Sequence, residues 1–193
     1  MRRTRSLPRP SLRRFAALAL IAAPLLLSAA DSQSVLNRAR NLHNRGQTPA
    51  AEKLLRSEYE ATKTANDTPH QAWMAFGLGW GTHQLTRYTE AAQFLEEAVT
   101  LSAQLKNDEL EGMARHQLAL NLRYQGRRPR AKQELELSYG KLLTAQRYDG
   151  AAQAMLDLVQ METNFRVRES ILRKAVELPA GNARPRLEAQ LML

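Results

Sequence analysis

Residues 75–99 read AFGLGWGTHQLTRYTEAAQFLEEAV. Within this stretch Ala75, Leu78, Gly79 and Thr82 stand at i, i+3, i+4 and i+7, the spacing of one face of an α-helix. After a break at Thr86-Arg87, Ala91, Leu95, Ala98 and Val99 make a second stripe of the same period. Two amphipathic helices joined by a tight turn follow, with no strand. Where Gly79 faces Ala91 no bulky side chain holds the helix axes apart, and the leucines fill the space on either side.

Working outward, the same residues recur every 40 positions. Ala51, Ala91 and Ala131 form one series and Leu55, Leu95 and Leu135 another. Ala39, Gly79 and Ala119 are all small, and Leu42, Thr82 and Leu122 follow one helical turn later. Gly46 and Gly126 lie in turns with Thr86 midway between them, and Pro49 and Pro129 come just after, where a first helical turn tolerates proline. The stretch Phe94–Leu101 is echoed 77 residues on by Ile171–Leu178, three short of two full periods. Such a divergent last copy is expected of a repeat that has no further neighbour. The pattern predicts helices over 34–45, 49–66, 70–85, 88–106, 109–125, 128–146, 149–163, 166–178 and 183–192.

Leu78-Gly79, Tyr88, Glu90-Ala91, Leu95 and Ala98 together resemble a tetratricopeptide repeat (TPR). The flanking sets Leu118-Ala119, Gly126, Ala131, Leu135 and Ala39, Gly46, Ala51, Leu55 resemble it more loosely. The resemblance covers residues 32 to 178. It departs from the usual pattern in a period of 40 rather than about 34, in Ala75 standing where a tryptophan is usual, and in Arg168 at the small position of the fourth unit. In its long period it is similar to repeats of bacterial sensory and regulatory proteins. It implies an all-α, right-handed superhelical solenoid of antiparallel helix pairs: repeats at about 32–71, 72–111 and 112–148, a divergent unit at 149–178 and a C-terminal helix at 183–192. The function it implies is protein–protein interaction.

The first thirty residues read as an address rather than as part of this stack. Six arginines lie between Arg2 and Arg14 with no acid among them; the apolar run Phe15–Leu27 follows, and Ser28-Ala29-Ala30 ends the segment. This is the make-up of a signal peptide cleaved before Asp31, so residues 31–193 are expected in the periplasm or outside the cell. The apolar run is short for a bilayer span and Pro24 interrupts it, so no stable membrane span is expected after cleavage.

Charge and composition then exclude several functions. The 193 residues carry 28 Lys+Arg and 19 Asp+Glu, but removing the first thirty leaves 22 against 19, so bulk charge advertises no nucleic-acid partner. Without cysteine there is no disulfide framework, thiolate metal site or cysteine nucleophile. Gly77-Leu78-Gly79-Trp80-Gly81 follows no strand and does not read as a phosphate loop. No local signature of a hydrolytic site is present, so no cofactor, metal or catalytic residue is expected and the chain reads as a binding protein.

A solenoid of helix pairs lines its concave side with the first helix of each pair. On the second such helix the side chains opposite the Ala75–Thr82 stripe are Trp73, Phe76, Trp80 and His83, and they include both tryptophans of the protein. Their counterparts one period away are Leu36, Arg40 and His43 before and Met113, His116, Leu120 and Arg123 after, with Asn44 and Tyr124 beside them as further groups to fix polar contacts. Rigid rings beside Arg and His suit a peptide- or protein-binding groove. Helically spaced aromatics also pack between repeats, and both readings stay open at this level. A rival role is structural: self-assembly or docking into an envelope complex through the convex face or the chain end Leu191-Met192-Leu193.

Overall fold

The computed structural model describes residues 31–179 together with Gln190 and Met192. Between 31 and 179 the chain forms eight consecutive helices, and no strand occurs among the described residues. They are α1 (31–44), α2 (Thr48–Ala65), α3 (Thr68–Gln84), α4 (Tyr88–Gln104), α5 (Asp108–Tyr124), α6 (Arg128–Thr144), α7 (Tyr148–Met161) and α8 (Phe165–Glu177). Each packs on the next in sequence, giving the all-α solenoid of antiparallel pairs. The signal segment lies outside the described residues, as does the 183–192 helix apart from Gln190 and Met192.

The turns show why the repeat is so regular. Gly46, Asn66, Thr86, Lys106, Gly126 and Gln146 all have positive φ, between 54° and 76°, and they recur every 20 residues. At each turn the left-handed residue donates its N–H to the carbonyl three residues back, as in Gly46 N to His43 O at 2.8 Å. The following residue donates five back, as in Gln47 N to Leu42 O at 2.9 Å. That pair of bonds closes a helix with a Schellman motif. The residue that completes the motif is also the N-cap of the next helix, and at Asp67 and Asn107 its side chain accepts from the N–H of His70 and Leu110. The 40-residue period is therefore two copies of one 20-residue helix-and-turn unit. Sequence showed only alternate turns, because Asn66, Lys106 and Gln146 share no residue type with the glycines.

Packing within pairs follows the small-residue series. Ala39, Gly79 and Ala119 are buried, as are Ala51, Ala91 and Ala131. A Cβ on Gly79 would fall on the Leu95 side chain, 2.7 Å from Cδ2, and 3.3 Å from the Ala91 carbonyl oxygen. Helix α3 is buried on two faces. Ala75, Leu78, Gly79 and Thr82 are buried, with Gly79 against Leu95 and Ala91 of α4, while Gly77 lies against Leu36 of α1 and Leu55 of α2.

Successive second helices are bridged by long side chains. Arg56 of α2 donates to Glu90 of α4 at 2.7 Å and Arg130 of α6 to Glu96 of α4 at 2.6 Å. The Tyr59 hydroxyl donates to both oxygens of Glu97, at 2.9 and 2.7 Å. Burial, and then the Glu97 carboxylate, push that phenol well above its ordinary pKa. Arg115 of α5 joins Glu111 on its own helix, at 2.9 Å, to Glu134 of α6, at 2.8 Å.

The fourth pair breaks the rule in the way the shortened spacing implied. On the 20-residue cycle α8 would begin at residue 168, yet it begins at Phe165. Helix α7 ends at Met161 and the chain crosses directly into α8, where the Asn164 side chain accepts from the N–H groups of Arg166 and Val167. Glu162 braces this crossing, accepting from Thr163 N at 2.8 Å, Asn164 N at 2.9 Å and Lys132 Nζ at 2.9 Å. The Asn164 N–H, then Lys132, then the Thr163 N–H hold its carboxyl at a pKa of about 2, against the ordinary 4.5.

Candidate functional site

With two faces of α3 spent on packing, its third face carries Trp73, Phe76, Trp80 and His83, all half-buried. First helices α3 and α5 also touch directly, whereas the second helices are spanned by long side chains. The stack is thus tightest along the first helices, and their free faces line its inner side.

Phe76 is the centre of this surface. It packs against the core cluster that runs from α1 to α5 and also against the one that runs from α4 to α7. Trp73 meets it edge to face, with ring centroids 6.3 Å apart. On one side of Phe76 is a small hollow of about 60 Å³ lined by Leu36, Arg40, Leu55, Gly77 and Trp80. On the other is a larger hollow of about 360 Å³, where Phe76, Met113 and Leu142 meet His116, Gln117 and Tyr148. Trp80 is steadied by the His43 ring at 4.9 Å, and His43 in turn is hydrogen-bonded through Nδ1 to Thr48 Oγ1 at 3.0 Å.

Histidines tie the first helices together. His43 of α1 meets Trp80 of α3, His83 of α3 meets Asn121 Oδ1 of α5 at 3.1 Å, and His116 Nε2 of α5 meets Asp157 Oδ2 of α7 at 2.7 Å. Each of these three histidines has its own partner, and no cluster of metal-ligating side chains occurs among the described residues. At the turn edge Tyr88 and Tyr124 stack with centroids 5.3 Å apart, and His83 meets both rings edge-on. Arg123 lies over Tyr124 at 5.7 Å and donates to Gln160 Oε1 at 3.3 Å.

The residues singled out from sequence thus fall into two neighbourhoods. Arg40, His43, Trp80, Trp73, Phe76 and His116 gather around the two hollows, while His83, Arg123 and Tyr124 form the turn-edge cluster. Asn44 is exposed at the end of α1. Sequence reading named Tyr88 only for the repeat resemblance, not as a site residue, and did not single out Gln117 or Tyr148. Tyr88 and Tyr148 both occupy the first helical position after a turn, and a 20-residue register shows that equivalence where the 40-residue one hides it.

No protein-family model and no curated protein matches the chain. Among solved structures it is similar to the crystal structure of a Podosopora anserina protein described as kinesin light chain with nearly identical TPR-like repeats. The identity is 19%, the TM-score 0.68, and the match covers 82% of this chain and 81% of that one. A point-substituted form of those repeats gives 20% identity with the same score and coverage. The likeness establishes a TPR-like fold.

Proposed function

We propose that this TPR-like chain is an exported scaffold that binds an extended peptide or a partner protein along the inner face of its first helices. The observation that carries this reading is the stripe Trp73, Phe76 and Trp80, half-buried and flanked by a hollow on either side of Phe76. Packing fixes each ring by one side, so a ligand gains contact area without having to order the ring first. Arg40, His43, Asn44, His83, His116, Arg123 and Tyr124 supply polar contacts around it. The proposed action is binding; no chemical step is assigned.

A photo-crosslinking side chain at Gln117, which lines the larger hollow, tests the site, with Gln133 on the outer helix α6 as control. The groove reading expects a discrete adduct from position 117 and none from position 133; the reverse pattern refutes it. Export has its own test: the mature protein should be recovered outside the cytoplasm with Asp31 at its N-terminus.

A second reading is favoured by the last helix. Phe165 is 73% exposed and Val167 and Met192 are also exposed, whereas the outer face of α1 carries Gln33, Asn37 and Asn41. Terminal repeats usually present a polar outer face. An apolar end suits self-assembly or docking into a larger complex, and light scattering on the purified chain and on Phe165→Glu separates that role from groove binding.

A further inference from the structure

The inference here rests on the groove reading above and adds the chemistry of the peptide. Phe76 is a septum between two hollows of unequal size, about 60 Å³ and about 360 Å³. Packing sets the smaller size. A Cβ on Gly77 would stand 2.6 Å from Leu36 Cδ2, so α1 and α3 are already in contact beneath it. The larger hollow opens where Met113 and Leu142 meet the turn before Tyr148.

Among the described residues Arg40 is the one charged residue lining the smaller hollow, whereas the larger is lined by both Arg147, which pairs with Glu109, and Asp149. The acids Glu52, Glu90, Glu96, Glu111, Glu134 and Glu162 are all engaged with cations of this chain. Asp157 is engaged by His116. Arg40, at the rim of the smaller hollow, is exposed and pairs with no acid among the described residues. Arg123 meets only a neutral amide oxygen and the Tyr124 ring. Arg40 beside the smaller hollow and Arg123 at the turn edge thus have no acid partner among the described residues, and a carboxylate is the group that complements a guanidinium.

We infer that the groove takes an extended acidic peptide whose small apolar side chain, of alanine or valine size, and bulky one, of leucine, methionine or phenylalanine size, sit on opposite sides of Phe76. Its carboxylates turn toward Arg40 and Arg123.

The test is selection of a random linear peptide library on the purified chain at low salt, followed by affinity measurements on the enriched peptides. The expected consensus has a small and a bulky apolar residue at fixed spacing with Asp or Glu beside them. Arg40→Glu should weaken binding about fivefold and added salt should do likewise. Phe76→Ala should admit bulky residues at both positions. Phe76→Leu keeps an apolar septum and covers the case in which the alanine variant does not fold. Enriched peptides that lose affinity in Trp80→Ala but lack the acidic residues or the unequal pair overturn this inference and leave groove binding standing. Failure to enrich any peptide, or enrichment of peptides indifferent to Phe76, Trp80 and Arg40 substitutions, overturns both.

Discussion

Gly79 has no side chain because Leu95 occupies its place: an added Cβ would lie 2.7 Å from Leu95 Cδ2. Gly81, two residues on in the same helix, would place a Cβ at an ordinary 3.6 Å from Leu55 Cδ1. The two glycines should therefore respond oppositely to one substitution. Gly79→Ala is expected to destabilise by ~1–3 kcal/mol through overpacking. Gly81→Ala should stabilise by ~0.5–1 kcal/mol, the usual gain of alanine over glycine inside a helix. Chemical denaturation measures both, and equal effects would contradict the packing described here.

Thr86 holds the left-handed conformation, φ 59°, that Gly46 and Gly126 hold at equivalent turns. A β-branched residue is strained there by ~1–2 kcal/mol. Thr86→Gly should raise stability by about 1 kcal/mol, part of the gain being offset by the greater freedom of the unfolded chain. For a domain of this size the melting temperature should rise by ~2–4 °C. A fall on thermal scanning would show that the Thr86 side chain contributes more than its backbone costs.

Trp80 and Leu78 stand two residues apart with different duties. Leu78 is fully buried, and Leu78→Ala should cost ~3–5 kcal/mol. Trp80 is half-buried against His43, and Trp80→Ala should cost less than Leu78→Ala despite the larger side chain removed. Should Trp80→Ala cost as much as a core truncation, that ring is structural and leaves the proposed site.

Arg115 sits between two carboxylates, those of Glu111 and Glu134, whose side chains are only 3% and 10% exposed. Removing the guanidinium leaves two nearly buried carboxylates with one cation fewer, Glu111 keeping Lys141 at 2.9 Å and Glu134 keeping only Arg130 at 3.9 Å. Arg115→Met should cost ~3 kcal/mol at neutral pH. The loss should shrink on acidification, because a protonated carboxylate no longer needs the missing cation. A pH-independent loss would assign the effect to packing alone.

Glu162 sets an acid limit on the crossing between α7 and α8. Its pKa is depressed in the folded chain, so the stability it contributes is fully present above pH 4.5 and is lost as pH falls from there toward about 2. The Thr163 and Asn164 amide signals should move in that window, and Glu162→Gln should abolish the pH dependence. Unchanged amide signals between about pH 5 and 2, values that bracket this window, would contradict the bracing role.

Sequence alone determined the helical class, the pairing and the close contact within each pair, because those rest on residues that recur at fixed spacing: Ala51, Ala91 and Ala131 against Ala39, Gly79 and Ala119. It also marked the stripe Trp73, Phe76 and Trp80, since one helix has only one face left after its packing residues are assigned. What it did not contain is anything that depends on which neighbour lies across a gap. The 20-residue unit is a backbone property, visible in φ at Asn66, Lys106 and Gln146, whose side chains have nothing in common. The two hollows around Phe76 arise from three first helices and an intervening turn meeting at one point, and their sizes depend on sub-ångström placement of Leu36, Leu55 and Leu142. The engagement of acids such as Glu134 and Asp157 by side chains of this protein, Arg115 and His116, likewise depends on contacts 19 and 41 residues apart in sequence. Periodicity records what each helix repeats; only the packed stack decides which charges and cavities remain at its inner face.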